Sequence, residues 1–371
     1  MTVNFDFMSE KKTYIVHLYF KNSMHVGSSR SGVGIEATQD FIHSDTLWAA
    51  IANYWSLLGT VAGISFDDFL DGFREKSEEK NDSKQEPLFR LSSAFPFTPQ
   101  DSKRNYWLPK PLSVPFSLSV DNDEQSKKKE HRDYGKNIKE ARFITRESFM
   151  RWQAFNSALG ADISSVRQNG ISQGEIRAQV AIDRTTSRSN LYHSGITYFK
   201  PHSERVGLYW LLQAEDCVKN ALHEVLQVIR DIGAIGGNVS SGCGELNEFN
   251  IQEIDAGNEA WSFIWGAATS NAYCLLSLYY PFNHTEYKGG LVAFNNVIRK
   301  GWTGSLTDSL QKKRKTVVML SEGSVLTEKV LGGIADVTPD ESNTSEWKGH
   351  HNVFRYGYAF LVPIKVNFED K

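Results

Sequence analysis

A glycine-rich segment between a helix-like and a strand-like pattern most constrains how this chain can fold. Residues 235–246 read IGGNVSSGCGEL, with four glycines among the nine residues 236–244. Glycine permits positive φ and close backbone approach because it has no Cβ. The segment is not a P-loop, because it lacks the Gly-Lys-Ser/Thr ending, and it follows a helix, whereas a dinucleotide fingerprint opens one. It predicts either a connector or a contact surface lined by backbone.

Composition predicts a globular chain of more than one domain. Its 371 residues are 40% hydrophobic and 12% aromatic, and domains usually hold ~100–200 residues. It contains no run of about 18 apolar residues, and its start lacks the pattern of a secretory signal. The three cysteines form no Cys-x-x-Cys pair, which argues against a disulfide framework or zinc site and predicts a reducing, cytoplasmic location.

The distribution of charge is more informative than its sum. A net charge of −3 argues against a general nucleic-acid binder. Segments 11–35 and 102–120 nevertheless contain basic residues and no acid. A locally basic groove on a mildly acidic body is therefore compatible with the sequence.

Periodicity in the first half predicts one strand followed by one helix. Residues 13–20 (TYIVHLYF) are aromatic and β-branched, as in a strand. A helix is expected to open at Ser44 or Asp45, both good N-cap residues. Its apolar positions follow the spacing of one buried face, and they are Leu47, Ile51, Tyr54 and Leu58.

The second half shows the same kinds of element. Strands are expected at 176–182, 191–199, 206–212, 245–254, 316–320 and 356–366. A helix over 214–231 is capped by Gly233, and its apolar face consists of Val218, Leu222, Val225, Ile229 and Ile232. The fold class is therefore α+β, with two units of antiparallel sheet and helices on one face. We expect the units at 1–174, with an insertion at about 72–145, and at 175–371.

Five short motifs occur in an order typical of one protein family. They are HSDTL at 43–47, VAIDRTT at 180–186, GGNVSSGCG at 236–244, EGSV at 322–325 and FRYGYAF at 354–360. Together they resemble the RAMP protein that is subunit four of the type III-A (Csm) CRISPR effector complex, over residues 13–366. That family often has a basic residue between the last two glycines of the loop, where this chain has Cys243. An ion pair with phosphate from this position is therefore not expected.

The resemblance implies a fold, a ligand and partners. The fold would be two ferredoxin-like (RRM-like) domains with glycine-rich loops and an inserted hairpin or thumb. The ligand would be the five-prime handle of the crRNA. The partners would be the large polymerase-like signalling subunit and the backbone RAMP subunit. The resemblance implies no catalytic activity for the chain itself, and we expect neither a cofactor nor contact with a membrane.

Three loops carry the predicted RNA contacts. Single-stranded RNA is held through its backbone, by stacking and by bonds to unstacked bases, and arginine forks suit phosphate. Each loop has a plain alternative, as a polar turn or a flexible connector. The predicted residues are His25, Ser28 and Arg30 in the first loop, Arg184, Thr185, Thr186 and Arg188 in the second, and Gly236, Gly237, Ser240 and Ser241 in the third.

The run His43-Ser44-Asp45 is not a hydrolase triad, because adjacent residues at a helix start point in different directions. Capping by Ser44 or Asp45 explains the polar pair, and His43 is predicted to face the RNA. No catalytic residue set is expected. No metal site is expected either, because His202 and His350-His351 lack further ligands at suitable spacing.

The proline- and aromatic-rich segment 95–116 has two interpretations. It contains Trp107 flanked by Lys103, Arg104 and Lys110. RAMP subunits project hairpin thumbs that wedge between nucleotides, and this segment has the composition for such a wedge. Equally, its aromatic residues can pack on their own domain.

Two other functions compete with the RNA-binding subunit. The first is a metal-independent crRNA-processing endoribonuclease of the RAMP superfamily, with His25 or His43 as general acid or base. The second is a structural adaptor that binds only protein, which would show no salt-dependent RNA affinity.

Overall fold

The structure is a computed structural model of the chain. It describes residues 11–27, 38–74, 86–100, 103–113, 141–153, 172–199, 206–266, 270–281, 286, 290–303, 312–339 and 352–366. Among these residues no helix is long and apolar enough to cross a membrane. The predicted contacts Ser28 and Arg30 lie outside the described residues, as do His202, His350 and His351.

Among the described residues, the first part of the chain contains eight strands and three helices. The strands are β1 (Lys12–Phe20), β2 (Ser23–Met24), β3 (Thr60–Val61), β4 (Ile64–Ser65), β5 (Arg90–Leu91), β6 (Phe95–Gln100), β7 (Lys103–Pro109) and β8 (Phe143–Thr145). The helices are α1 (Ser44–Leu58), α2 (Phe66–Asp71) and α3 (Arg146–Gln153).

The middle part contains a long hairpin and then a strand–helix–strand unit. The hairpin is formed by β9 (Ser172–Ile182) and β10 (Ser189–Phe199). The unit consists of β11 (Gly207–Ala214), α4 (Asp216–Ile232), a 3-10 helix (Val239–Ser241) and β12 (Leu246–Ile254).

The last part consists of short strands and one 3-10 helix (Ser262–Ile264). The strands are β13 (Ala272–Leu275), β14 (Leu291–Ala293), β15 (Asn296–Arg299), β16 (Val317–Leu320), β17 (Val325–Leu326), β18 (Gly332–Asp336), β19 (Phe354–Tyr358) and β20 (Leu361–Ile364). The single strand predicted at 356–366 is thus two strands, β19 and β20.

The largest sheet has the strand order of a ferredoxin-like domain. Its order is β12-β1-β11-β6-β7-β8, and β5 also pairs with β11. With α1 after β1 and α4 between β11 and β12, the first four positions reproduce the split β-α-β-β-α-β motif. All pairings of named strands in the described regions are antiparallel. The predicted α+β class with antiparallel sheets is confirmed.

The two predicted units share this sheet. β1 pairs with β11 from Lys12↔Ala214 to Leu18↔Leu208, and with β12 from Thr13↔Ile254 to Phe20↔Leu246. The division at residues 174/175 therefore does not separate the hydrogen-bonded sheets. An independent C-terminal unit over 175–371 stays a prediction.

The sheet is buried on both faces because β1 alternates between two cores. Tyr14, Val16 and Leu18 pack with α1 and α4 in one core, whereas Ile15 and Tyr19 belong to another with residues of β7 and β20. At ~25 cal/mol per Å² of apolar area, these cores are the main stabilising term. The last predicted position of each helix face is exposed: Leu58 is 40% exposed and Ile232 76%.

Candidate nucleic-acid interface

The β9–β10 hairpin ends in a tight polar turn at residues 183–188. The carboxylate Oδ1 of Asp183 accepts hydrogen bonds from the backbone N–H groups of Thr185 and Thr186, each at 2.8 Å. These bonds hold the pKa of Asp183 below its usual value. The backbone N–H of Asp183 also donates to the carbonyl of Arg188 at 2.9 Å. The ordered turn thus leaves the side chains of Arg184 and Arg188 exposed to solvent.

The hairpin has one apolar face, which is formed mainly by β9. Residues that alternate along β9 share a face, and the register adds Leu191 opposite Val180. This apolar face is open, with Ile176, Val180, Ile182 and Leu191 between 55% and 67% exposed. The opposite face is polar and includes Gln179, which accepts a hydrogen bond from Tyr192 Oη at 2.6 Å. Soluble chains seldom leave such an apolar face uncovered.

The sequence contains a signal for this face. Ile176, Ala178, Val180 and Ile182 alternate with polar or small residues, which is the period of a strand with one apolar side. What periodicity alone does not show is that this side has no covering layer in the described part of the chain.

The glycine-rich loop packs against residues 21–25. Gly237 donates its N–H to the carbonyl of His25 at 2.9 Å, and Gly244 donates to the carbonyl of Ser23 at 2.7 Å. Gly244 has φ +81°, and a Cβ there would collide with the carbonyl oxygen of Ile235. The glycines therefore serve close packing, as in the connector interpretation.

The backbone of this loop is largely committed to the protein itself. The N–H groups of residues 237 and 241–244 all donate to carbonyls of the chain, which favours the connector interpretation over a contact surface lined by backbone. What the loop presents to solvent is the pair Ser240 and Ser241 in the 3-10 helix, both exposed. They remain predicted RNA contacts.

His25 lies between the glycine-rich loop and the base of the hairpin. Its side chain is 8% exposed, and Nδ1 is 2.6 Å from the carbonyl oxygen of Gly195 in β10. Asn238, in the left-handed region at φ 55°, donates from Nδ2 to Ser194 Oγ at 2.6 Å. These contacts fix the hairpin to the loop, so His25 has a positioning role rather than an open stacking face.

The predicted residues fall into two groups along one element. Six residues separate Ser194, at the loop, from Arg188 at the turn, which is about 20 Å at ~3.3 Å per residue. His25, Gly236 and Gly237 therefore support the base of the hairpin, and Arg184 to Arg188 lie at its far end.

His43 is removed from the interface by burial. The side chain is 2% exposed, and Nδ1 lies 2.8 Å from Glu322 Oε1. Burial alone would raise the pKa of Glu322, but the charge of His43 and hydrogen bonds from His43 and Ser93 hold it lower. The predicted contact of His43 with RNA is contradicted by this geometry.

Neither Ser44 nor Asp45 caps α1 as predicted. The N-cap is His43, which makes no side-chain capping bond. The N–H of Ser44 instead donates to Ser93 Oγ at 2.9 Å. Asp45 binds Arg299 and Arg355, and these charges, acting against burial, hold its pKa well below the usual range.

The aromatic residues of the 95–116 segment that the structure describes pack inside the protein. Phe95, Phe97 and Trp107 are 0–1% exposed, and β6 and β7 are strands of the main sheet. For residues 95–98 and 104–109 the packing interpretation is therefore correct and the nucleotide wedge is wrong. No group of three or more metal-ligating side chains occurs in the described residues.

Comparisons with known proteins agree with the fold. Residues 268–364 match the family model of the CRISPR Csm4 C-terminal domain. Comparison with curated proteins gives no match. A chain of the Csm1-Csm4 cassette, solved by crystallography in complex with AMPPNP, is similar over 96% of this chain and 99% of that one, with 18% identity and a TM-score of 0.54. A chain of type III-B Cmr-beta bound to cognate target RNA and AMPPnP is similar over 85% of this chain and 86% of that one, with 12% identity and a TM-score of 0.40.

The chain therefore shares its α+β fold with a chain of the Csm1-Csm4 cassette over 96% of its length. The match of residues 268–364 to the Csm4 C-terminal domain confirms the resemblance to the Csm4 family in that region, which contains the motifs at 322–325 and 354–360.

Proposed function

We propose that this chain is a non-catalytic crRNA-binding subunit of a type III-A CRISPR effector complex. In this role it holds the five-prime handle and bridges the large signalling subunit and the backbone RAMP subunit. The observation that carries the proposal is the β9–β10 hairpin, which combines two exposed arginines at its turn with an open apolar face. The Csm4 domain match and the likeness to a chain of a Csm1-Csm4 cassette support the same role.

The two ends of the hairpin suit different parts of this task. Arg184 and Arg188 can each form a forked, charge-assisted bond to phosphate, and Thr185 and Thr186 can reach ribose hydroxyls. The apolar face lacks the charge that RNA would require and suits burial against a protein subunit. Anchoring at Gly195 and Ser194 fixes the direction in which the hairpin projects.

The geometry does not favour the endoribonuclease alternative. A general acid or base must lie within hydrogen-bond reach of the scissile phosphate. The described structure buries both histidines on which that alternative relied, His25 against Gly195 and His43 against Glu322.

The test is handle binding by the full chain carrying Arg184→Ala and Arg188→Ala together. Each lost charged hydrogen bond corresponds to ~1.5–3 kcal/mol, so affinity for an RNA with the repeat-derived handle should fall at least tenfold. Arg230→Ala in α4 is the matched control, because it removes an exposed arginine outside the hairpin.

The salt dependence and integrity of the RNA separate the alternatives. If the double variant binds RNA as tightly as the wild type across a salt titration, the turn is not the RNA contact. If the wild-type protein itself shows no salt-dependent affinity for RNA, the chain is the protein-only adaptor. Cleavage of labelled repeat RNA would indicate the endoribonuclease.

A further inference from the structure

The β15–β16 ribbon carries an exposed surface that the proposed function does not use. Ile298 in β15 pairs directly with Val318 in β16, and these side chains are 45% and 52% exposed. Beyond the strands, Trp302 forms a bridge with Lys313, and Trp302 is 61% exposed. Directly opposed residues of an antiparallel pair have neighbouring side chains on one face.

The same ribbon is the site of a concentrated positive charge. Residues 299–315 contain six basic residues and one acid, Asp308. Lys300 and Lys313 are exposed and form no ion pair within the described residues. Lys313 lies opposite the exposed Trp302, and Lys300 precedes Trp302 by two residues. The two lysines therefore place positive charge on both sides of an exposed aromatic ring.

We propose that Trp302, Lys300 and Lys313 form a second site for single-stranded nucleic acid, separate from the β9–β10 hairpin. One base stacks on Trp302, because every base offers a π-face to an aromatic platform. The two lysines bind the adjoining phosphates. The site has no row of base-reading groups, so it binds without sequence preference. A docked protein is the competing occupant, but an apolar protein contact would not require this excess of positive charge.

The experiment measures the Kd of full-length protein for a labelled 12-nucleotide oligouridine by fluorescence anisotropy. Trp302→Ala should raise the Kd at least ~fivefold, the low end for loss of one stacked base. Lys300→Gln with Lys313→Gln should reduce the slope of log K against log salt by ~1.4, or ~0.7 per phosphate contact on a single strand. Lys219→Gln, which removes an exposed lysine of α4, is the matched control and should change neither quantity.

This proposal assumes an RNA-binding subunit, but it can fail independently of the proposed handle site. Arg184→Ala/Arg188→Ala should lose handle RNA and keep oligouridine affinity, whereas Trp302→Ala should lose oligouridine. Because Trp302 is largely exposed, its variant should unfold at the wild-type temperature, and this is checked in parallel. Unchanged oligouridine affinity in both ribbon variants overturns the proposal. If the ribbon variants then lose only the co-purification of a partner subunit, the surface binds protein.

Discussion

Arg299 forms a two-pronged salt bridge with Asp45, a residue 254 positions earlier in the chain. Its Nε and Nη2 donate to the two carboxylate oxygens of Asp45 at 2.8 and 2.9 Å. Arg355 donates to the same carboxylate, and the Asp45 side chain is fully buried. Asp45 lies in the first turn of α1, where a negative charge complements the helix dipole. Because Arg299 and Arg355 lie in β15 and β19, the bridge connects these C-terminal strands to that helix.

Replacement of Asp45 by Asn should destabilise the protein strongly. Removing one partner of a buried ion pair costs ~3–5 kcal/mol, because the remaining charge is left buried, and here two arginines lose the carboxylate. Urea unfolding measures the free energy. Asp67→Asn, an exposed acid in the first turn of α2, is the control and should change stability by less than ~0.5 kcal/mol. Equal values for the two variants would contradict the buried bridge.

The sequence predicted elements well and long-range partners poorly. β1 and α4 are periodic enough that their predicted and observed spans differ by at most two residues at either end. Ser44 and Asp45 met the local rule for an N-cap, yet their partners are Ser93, Arg299 and Arg355. No local pattern contains such contacts, because tertiary packing overrides capping propensity.

The same limit applies to the candidate site. The exposed turn at Arg184–Arg188 is a local feature, and the sequence identified it. Periodicity could not show that His43 is buried, because its partner Glu322 is 279 residues away. Nor could it show that Phe95 and Trp107 enter the main sheet, because their composition fits an exposed wedge as well as a core.

The buried His17 should make stability fall in acid. Burial, and secondarily the charge of Arg104, lowers the pKa of His17 from 6.5 to about 3. Below pH 6.5 the unfolded chain therefore binds a proton at His17, whereas in the folded chain His17 stays neutral until the pH approaches 3. The stabilisation is complete above pH 6.5 and is lost as the pH falls toward 3, at up to ~1.4 kcal/mol per pH unit.

The check compares urea unfolding of the wild type and His17→Gln between pH 7 and pH 4. The variant removes the titrating imidazole and should show a shallower loss of stability across this range. Even if the substitution lowers the free energy of unfolding through lost contact with Tyr106 Oη, the change of that free energy with pH still tests the role of His17. Parallel pH profiles would exclude His17 as the source.

Glycine should be essential at Gly244, whereas Cys243 should tolerate a hydroxyl. An alanine at 244 would have to adopt φ +81° and would strike the carbonyl of Ile235, so we expect a loss of at least ~1 kcal/mol, the typical cost of a strained conformation. Gly237→Val should also harm assembly, because its Cβ would lie 2.9 Å from Cδ2 of His25. Cys243→Ser is the mild control. Thermal unfolding and co-purification of the complex measure both effects, and equal tolerance would contradict the close-packed loop.

The apolar face of the β9–β10 hairpin should be required for assembly but not for folding. Val180→Asp with Leu191→Asp adds charge to that face, where a protein partner would have to desolvate it. Co-purification of the partner subunits should fall strongly while the unfolding temperature stays unchanged, because both residues are solvent-exposed. Ala181→Asp, on the opposite face of the same strand, should leave co-purification intact. Loss with Ala181→Asp alone would place the contact on the polar face.

Replacement of His25 or His43 by Ala should affect assembly rather than chemistry. His25→Ala removes the bond to Gly195 that orients the hairpin, and His43→Ala leaves the buried carboxylate of Glu322 without that partner. Both variants should therefore yield less complex, with RNA cleavage and signalling unchanged per assembled complex. The measurement is activity normalised to assembled complex, with His223→Ala on α4 as control, since this histidine is exposed and lies beside the ring of Phe249. General acid–base catalysis contributes at least ~100-fold, so a drop of that size with assembly intact would make the endoribonuclease the better account.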